Sequence, residues 1–492
     1  MTTYLGLDLG TSVLKATVID DGGQIIAGSA KEISIHSPKT GYAEESVSGW
    51  WKTFCELLNE INSQTPLKNI KGVGLSGQMH GLVCYDKTGK VLRPAIIWAD
   101  KRSTNEVESI GKTIGFPKMY GITGNPIFTG FMLPSLLWLK KNEKKTYGRL
   151  AKVSSPKDFI AFKLTGALKS EPTDALATGC FDYKKNCWSG EIIKKAGLKE
   201  SLFPEIMKTS KPYGKISRTN AKETGLPGGI PVFGGSDQSM AAMGCGLVKK
   251  GDSLLAISTG GQFLVVTGKG IVDPKRRLHT LNHALEGISI SMGATLSAGL
   301  SLKWFKSSIM QQLDTSYDTF IKGIDRVPVG SEDLIYLPFL AGERTPYFNP
   351  HLKGGFIGQS LTHTNLHFIR AIMEGVAFSF RDCLESFKDL KIPVKKIILS
   401  GGGSKNATWR QILTDVLNVP TEMINVDDHS PFGAAVYAKF AQEGFSKLPT
   451  FYKKVLKTRH KLNPDKENVK KYEQIFRQYK KHARYLNEAF SG

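Results

Sequence analysis

Apolar residues near the start of the chain fall in short runs with the period of strands. The run 4–8 is apolar and ends in a Gly-Thr-Ser turn. The run 13–19 alternates and ends at Asp20-Asp21-Gly22-Gly23, a hairpin turn, and Ile25–Glu32 follows it. The spacing then changes to that of an amphipathic helix over 46–61, with Ser46 or Ser48 as N-cap. A further strand over 72–75 leads into the loop Ser76-Gly77-Gln78-Met79-His80-Gly81. The second half repeats the plan. The run 253–258 reads as a strand entering Thr259-Gly260-Gly261, 262–267 as its hairpin partner, and a small-residue helix is predicted from about Thr295. The run 334–342 reads as a core strand. The strand 396–399 ends in Ser400-Gly401-Gly402-Gly403-Ser404 and precedes a helix over 406–417. Aromatics at Tyr472, Phe476 and Tyr479 recur at helical spacing, so the tail reads as a helix with one face on the body.

The two halves echo each other in topology without a sequence repeat. The 492 residues exceed one ordinary core, and the division falls between Asp237 and Gly251, giving domains over 1–244 and 245–492. Composition is that of a globular chain, with 40% hydrophobic and 22% charged residues, which disfavours wholesale disorder. No apolar run approaches the ~20 residues that span a bilayer. The N-terminus enters a strand pattern directly and carries no signal-peptide pattern. Six cysteines are scattered with no C-x-x-C pair, so a reducing, cytoplasmic setting is expected rather than a disulfide framework or a zinc site. The formal charge of +22 is the unusual number. It concentrates in 451–492, where 12 Lys and Arg face four Asp and Glu. A solvated basic surface explains it. Without a helix-turn-helix, zinc-finger or RNA-binding signature, no nucleic-acid partner is expected.

Chemistry is concentrated at the turns. Asp8-Leu9-Gly10-Thr11-Ser12, Ser258-Thr259-Gly260-Gly261 and Gly401-Gly402-Gly403-Ser404 each follow an apolar strand. Glycine there lets backbone N–H groups approach an anion, and hydroxyls add donors. One such turn is ordinary punctuation, but two opening both halves and a third opening a helix form a specific set. Their spacing is not that of the Walker A loop. Asp8 beside such a turn would repel phosphate unless Mg²⁺ lay between them, a cation that takes one or two carboxylates plus phosphate oxygens. A turn aspartate is the plain alternative. Asp237 follows Gly234-Gly235-Ser236 and starts a small-residue helix near the domain boundary. An Asp in that place is usually a cap, yet it could also take a proton from a hydroxyl. Gln78-Met79-His80-Gly81 and Trp98-Ala99-Asp100-Lys101-Arg102 put polar side chains on loops after strands, suited to a polyol.

With these motifs, and with Ser155-Pro156-Lys157-Asp158-Phe159 and Leu340-Ala341-Gly342-Glu343-Arg344-Thr345-Pro346, the chain resembles the carbohydrate kinases of the FGGY type. The Gln-Met-His-Gly element resembles the xylulokinase branch in particular. The resemblance implies an α/β fold of two actin-like (ribonuclease H-like) domains with a catalytic cleft between them. The implied first domain binds sugar and the second binds nucleotide. It implies ATP-dependent phosphorylation of a ketopentose, D-xylulose at O5 foremost. The alternatives are ribulose, an alditol or glycerol as substrate, or an actin-like ATP-driven binding module. By the same resemblance Asp237 is the catalytic base, and Asp8 is the residue at Mg²⁺ and the transferring phosphate. Met79, His80 and Asp100 contact the sugar; Thr11, Thr259, Gly260, Gly402, Gly403 and Asn406 contact ATP. The partners implied are the sugar and ATP, with a homodimer left open. One departure stands out: the family usually has Gly-Thr-Ser-Gly where this chain has Ser258-Thr259-Gly260-Gly261, so one serine hydroxyl is missing.

Overall fold

A computed structural model describes residues 2–490 and divides them into two compact units. Met1, Ser491 and Gly492, the ends of the two domains expected from sequence, lie outside the described residues. The first unit comprises residues up to Val248, a short excursion over Thr280–Ser289, and Asp428–Leu456. The second comprises Lys249–His279, Ile290–Asp427 and the residues from Lys457 onward.

The sheet of the first unit has the order Gly214–Lys215, Pro231–Gly234, Ile70–Gly77, Thr3–Leu9, Val13–Asp20, Ile25–Glu32. The last three strands form an antiparallel meander, while Pro231–Gly234, Ile70–Gly77 and Thr3–Leu9 run parallel. The expected helix forms over Val47–Gln64. Ser46 is its cap, accepting from the Gly49 N–H at 3.1 Å, and Trp50, Phe54, Leu57, Leu58 and Ile61 are buried. The second unit uses the same device. Ser253–Ile257 pairs antiparallel with Gly261–Gly268 and parallel with Ile397–Ser400, which pairs parallel with Thr421–Ile424. The helix Lys466–Ala489 buries Tyr472, Phe476 and Tyr479 against this unit, as their spacing predicts.

Two expectations are corrected. The helix expected from about Thr295 begins only at Gly299, because Thr295 still ends the buried strand Ser289–Thr295. The run 334–342 yields only Ile335–Leu337 as strand, because its Leu-Ala-Gly end turns away. Among the described residues no helix is long and apolar enough to cross a membrane.

The helix His429–Glu443 is what locks the first unit together. Its segment Pro431-Phe432-Gly433-Ala434-Ala435 has little side-chain bulk on the sheet side, and strands Thr3–Leu9 and Ile70–Gly77 answer it with Gly6 and Gly74. A Cβ on Gly6 would overlap the Pro431 carbonyl oxygen, and one on Gly74 the Ala434 carbonyl oxygen. The same helix meets the helix Asp237–Gly244 through a second pair: a Cβ on Gly433 would overlap Met240 O, and one on Gly244 would overlap His429 O. Glycine usually weakens a strand, and here it allows backbone-to-backbone contact. Gly74→Ala should therefore destabilise the protein by about 1–3 kcal/mol or more, read from the urea midpoint. Gly148→Ala, on a helix with nothing near the new methyl, should stay within about 1 kcal/mol and on the stabilising side.

Candidate active site

In each unit the candidate residues gather at the carboxyl ends of neighbouring parallel strands, the usual place for ligands in such sheets. In the first unit these ends carry Asp8, the loop 77–81 and the turn Gly235-Ser236-Asp237.

Asp8 is neither a cap nor a turn residue. It is the penultimate residue of its strand, paired across the ladder with Lys15. Ser76 Oγ donates to its Oδ1 at 2.7 Å. Lys15 forms an ion pair with Asp428. Burial pushes the Asp8 carboxyl up, Ser76 and Lys15 pull it down, and Asp428 raises it again.

Asp237 is the first residue of the helix Asp237–Gly244, with Ser236 at the cap position. Its Oδ1 accepts from the Gln238 N–H at 2.7 Å. Burial first, and the Asp8 carboxylate second, push its pKa up to about 7, against that hydrogen bond. Two carboxylates that repel each other in a partly enclosed place suit a divalent cation at Asp8, which would relieve the repulsion while phosphate and water completed its ligands.

The loop 78–81 is anchored from below. Gln78 is buried and donates to Glu45 Oε2 at 3.0 Å, an oxygen that also accepts from Trp50 Nε1 at 2.7 Å. Burial lifts Glu45 to about 7. Met79 is 6% exposed. His80 takes the left-handed backbone region (φ 74°), its ring stacks on Phe131 at 3.8 Å, and its Nδ1 donates to the Ala177 carbonyl at 2.6 Å. Trp98 is exposed and its indole N–H donates to Thr11 Oγ1 at 2.8 Å, which joins the turn after the first strand to this loop cluster. Asp100 differs from its neighbours. It is fully buried, and its oxygens accept from the Ala43 N–H at 2.6 Å and from the Arg102 backbone and guanidinium. Its carboxylate is committed inside the unit, building the loop that presents Trp98.

In the second unit, Thr259-Gly260 and Gly402-Gly403 follow the paired parallel strands Ser253–Ile257 and Ile397–Ser400. The carbonyls of Ser258 and Thr259 accept N–H groups from 298–300 at 2.8–3.1 Å, and both residues are exposed. Gly401 (φ 82°) crosses so close to Ile257 that a Cβ would overlap its carbonyl oxygen. Gly402 has open space around it. Asn406 caps the helix Ala407–Leu417 by accepting the Trp409 N–H at 2.8 Å, and Arg410 Nη1 holds the carbonyls of Ser404 and Lys405 at 2.8 Å each. The missing serine now has a physical reason. A Cβ on Gly260 would lie 2.7 Å from Thr295 O, and one on Gly261 would overlap the Phe380 ring.

Sequence reasoning missed several of the groups that hold this site. Lys15 lies in a strand and carries no motif signal of its own, and Ser76, expected at the head of the loop 76–81, lies instead in the strand Ile70–Gly77, where only the sheet brings it to Asp8. Glu343 is buried, accepts the N–H groups of Leu296 at 2.9 Å and Arg344 at 2.7 Å, and is lifted by burial to about 8. It fixes the chain next to Thr295 and hence the room around Gly260. Lys157 and Asp158 stood in a quoted motif, but their complete burial with Glu171 and Asp174 is a tertiary fact.

Comparisons with known proteins give the family. The model of the N-terminal domain of the FGGY family of carbohydrate kinases matches residues 3–244, and that of the C-terminal domain matches residues 256–442. The chain is 34% identical over 481 residues to a xylulose kinase of Staphylococcus xylosus, covering 98% of this chain and 99% of that protein. It is 33% identical to a xylulose kinase of Bacillus subtilis, over 100% of this chain and 99% of the other. The crystal structure of xylulose kinase from Rhodospirillum rubrum superposes with a TM-score of 0.93 at 26% identity, covering 100% of each chain. Matches to both domain models, over 3–244 and 256–442, on strands whose carboxyl ends carry Asp8, the Met79-His80 loop and Asp237, make this chain a member of the FGGY family of carbohydrate kinases.

Proposed function

We propose that the protein transfers the γ-phosphoryl group of ATP to a ketopentose, D-xylulose at O5 foremost, in the cytoplasm. The observation that carries this reading is the carboxylate pair Asp8 and Asp237 beside the Met79-His80 loop, in a chain similar over its whole length to xylulose kinases. Asp237 takes the proton of the attacking hydroxyl. A base with a pKa near 7 is half ionised at neutral pH and matched to that task. His80 and Met79 orient the sugar. His80 Nδ1 is tied to Ala177 O, so the ring is fixed before substrate arrives. Trp98 and Thr11 wall the same loop cluster, and Asp100 acts through that wall rather than by direct contact. Thr259, Gly260, Gly402, Gly403 and Asn406 receive the nucleotide, with the open face at Gly402 as the place of closest approach.

Asp8 would hold Mg²⁺ through the carboxylate that Ser76 orients. The cation supplies charge neutralisation on the phosphate oxygens. Phosphoryl transfer asks little covalent chemistry of the protein, so positioning and electrostatics carry the catalysis. The first unit then serves as the sugar-binding domain and the second as the nucleotide-binding domain. A coupled ADP-release assay over D-xylulose, D-ribulose, alditols and glycerol tests the substrate; a higher kcat/KM for any of the others would overturn the choice of D-xylulose.

Three outcomes are expected. Asp237→Asn should lower kcat by roughly 10²–10⁴-fold with sugar affinity little changed, measured by steady-state kinetics and sugar titration. In the wild type, kcat should fall as pH drops below about 7, because protonation of Asp237 removes the base. The same raised pKa has a stability sign. The folded state prefers the protonated group, so its stabilisation is present at low pH and is lost as pH rises through about 7. Asp237→Asn should thus be more stable than wild type at pH 8, by on the order of 1 kcal/mol, read from the urea midpoint.

His80→Ala should raise KM for the sugar while KM for ATP stays within a small factor, since the site loses one hydrogen-bonding partner and the Phe131 stack. Gly260→Ser, although it restores a hydroxyl, should lower thermal stability and raise KM for ATP, because the new Cβ lies 2.7 Å from the Thr295 carbonyl oxygen.

A further inference from the structure

A buried charge cluster lies directly behind the Asp237 turn. Lys157 has no solvent exposure, and its Nζ is 2.7 Å from Asp158 Oδ1, 3.3 Å from Asp174 Oδ2 and 3.6 Å from Glu171 Oε1; it also bonds the Tyr213 hydroxyl. Tyr213 donates in turn to Asp158 Oδ1 at 2.6 Å. Three carboxyl groups around one ammonium make a poor stabilising device, because desolvation opposes the Coulomb gain and apolar replacements of such clusters are often neutral or better. Burial, with Asp158 and Glu171 adding to it against the pull of Lys157, holds Asp174 well above the carboxylate range.

The cluster leads outward through Glu171. Its Oε2 accepts the Thr173 N–H at 2.8 Å, and its Oε1 accepts the Thr173 Oγ1–H at 2.8 Å. The single hydroxyl proton of Thr173 is therefore spent on the carboxylate. Its oxygen is left to accept, and it accepts the N–H of Ser236 at 2.8 Å, one residue before Asp237. A second strap runs alongside: Asn282 Nδ2 donates to Pro172 O at 3.2 Å, and its own carbonyl accepts Ser239 Oγ–H at 2.7 Å on the Asp237 helix. The far end of the same segment reaches the sugar loop, where Ala177 O accepts from His80 Nδ1. A Cβ on Gly77, where that loop begins, would stand 3.1 Å from Lys157 Cβ.

We propose that Thr173, oriented by Glu171 and backed by the buried Lys157, is a positioning residue that sets Asp237 relative to the His80 loop. One short segment, 171–178, holds the base turn at one end and the histidine at the other. A rigid shared support gives what base catalysis needs, since a small misplacement of the reacting groups can cost about 10²-fold in rate. The proposal rests on the reading of Asp237 as the base.

The test compares Thr173→Val, which keeps the shape and removes the hydroxyl, with Thr173→Ser, which keeps the hydroxyl. Thr173→Val should lower kcat by about 10–100-fold with KM for ATP within about 2-fold. It should also move the acid limb of the kcat–pH profile below that of the wild type, because a loosened turn lets water reach Asp237. Thr173→Ser should recover kcat and the limb. In an Asp237→Asn background, Thr173→Val should cost nothing further. Should Thr173→Val melt below the assay temperature, Thr173→Ala carries the same comparison. Loss of activity in Asp237→Asn combined with a wild-type kcat and pH limb in Thr173→Val overturns the inference alone. Failure of Thr173→Ser to recover also overturns it, as that marks a packing defect. A wild-type kcat in Asp237→Asn overturns the base reading and the inference with it.

Discussion

The site in the first unit depends on one steric constraint, the approach of the helix His429–Glu443 to within backbone contact of its neighbours. On one side it presses on Thr3–Leu9 and Ile70–Gly77 at Gly6 and Gly74; on the other it meets the helix Asp237–Gly244 through Gly433 and Gly244. Asp8 lies two residues beyond Gly6, and Ser76 two beyond Gly74. Asp237 heads the helix that Gly244 ends. Asp428, which pairs with Lys15 beside Asp8, is the residue just before the helix begins. The carboxylates and their partners are therefore spaced by main-chain contact, which relaxes little, rather than by flexible side chains. A close-packed interior passes any added volume on to its neighbours, so the four glycines constrain the chemistry as well as the fold.

Electrostatics adds a second layer built on that frame. Burial and the neighbouring Asp8 hold Asp237 near neutrality, which costs the folded state stability once the group ionises. Behind it, Lys157, Asp158, Glu171 and Asp174 are fully enclosed, and in the second unit Glu343 is lifted to about 8 by burial while it orders Leu296 next to the 258–261 loop. None of these is an arrangement that stability alone would select, since a buried charge is weak evidence of stabilisation. Each fixes main-chain or hydroxyl groups next to a loop that carries candidate site residues.

The second unit shows how a departure from a motif can be a packing consequence. Phe380 stands where a side chain on Gly261 would go, and the Thr295 carbonyl stands against Gly260. The turn keeps its shape through N–H groups of 298–300 on the Ser258 and Thr259 carbonyls. Backbone geometry is thereby retained where a hydroxyl is lost.

The sequence by itself determined the local elements and the motifs. Alternation and turn residues marked the strands Thr3–Leu9, Val13–Asp20 and Ile25–Glu32, and helical spacing marked Val47–Gln64 and the buried face of Lys466–Ala489, because these signals act over a few residues. Glycine turns after strands, together with Gln78-Met79-His80-Gly81 and Asp237, were legible as chemistry for the same reason. What only the tertiary structure decided depends on residues far apart in the chain. The helix expected from about Thr295 starts only at Gly299, because Thr295 is still held in the buried strand Ser289–Thr295 by its sheet neighbours. Residues 428–456 complete the first unit although they follow most of the second. Asp100 turns inward because Ala43 and Arg102 claim its oxygens. Lys157 and Thr173 become neighbours of the Asp237 turn only when strand Pro231–Gly234 adds to the sheet beside Ile70–Gly77, since hydrogen bonds and buried charge are set by three-dimensional proximity that no local pattern encodes.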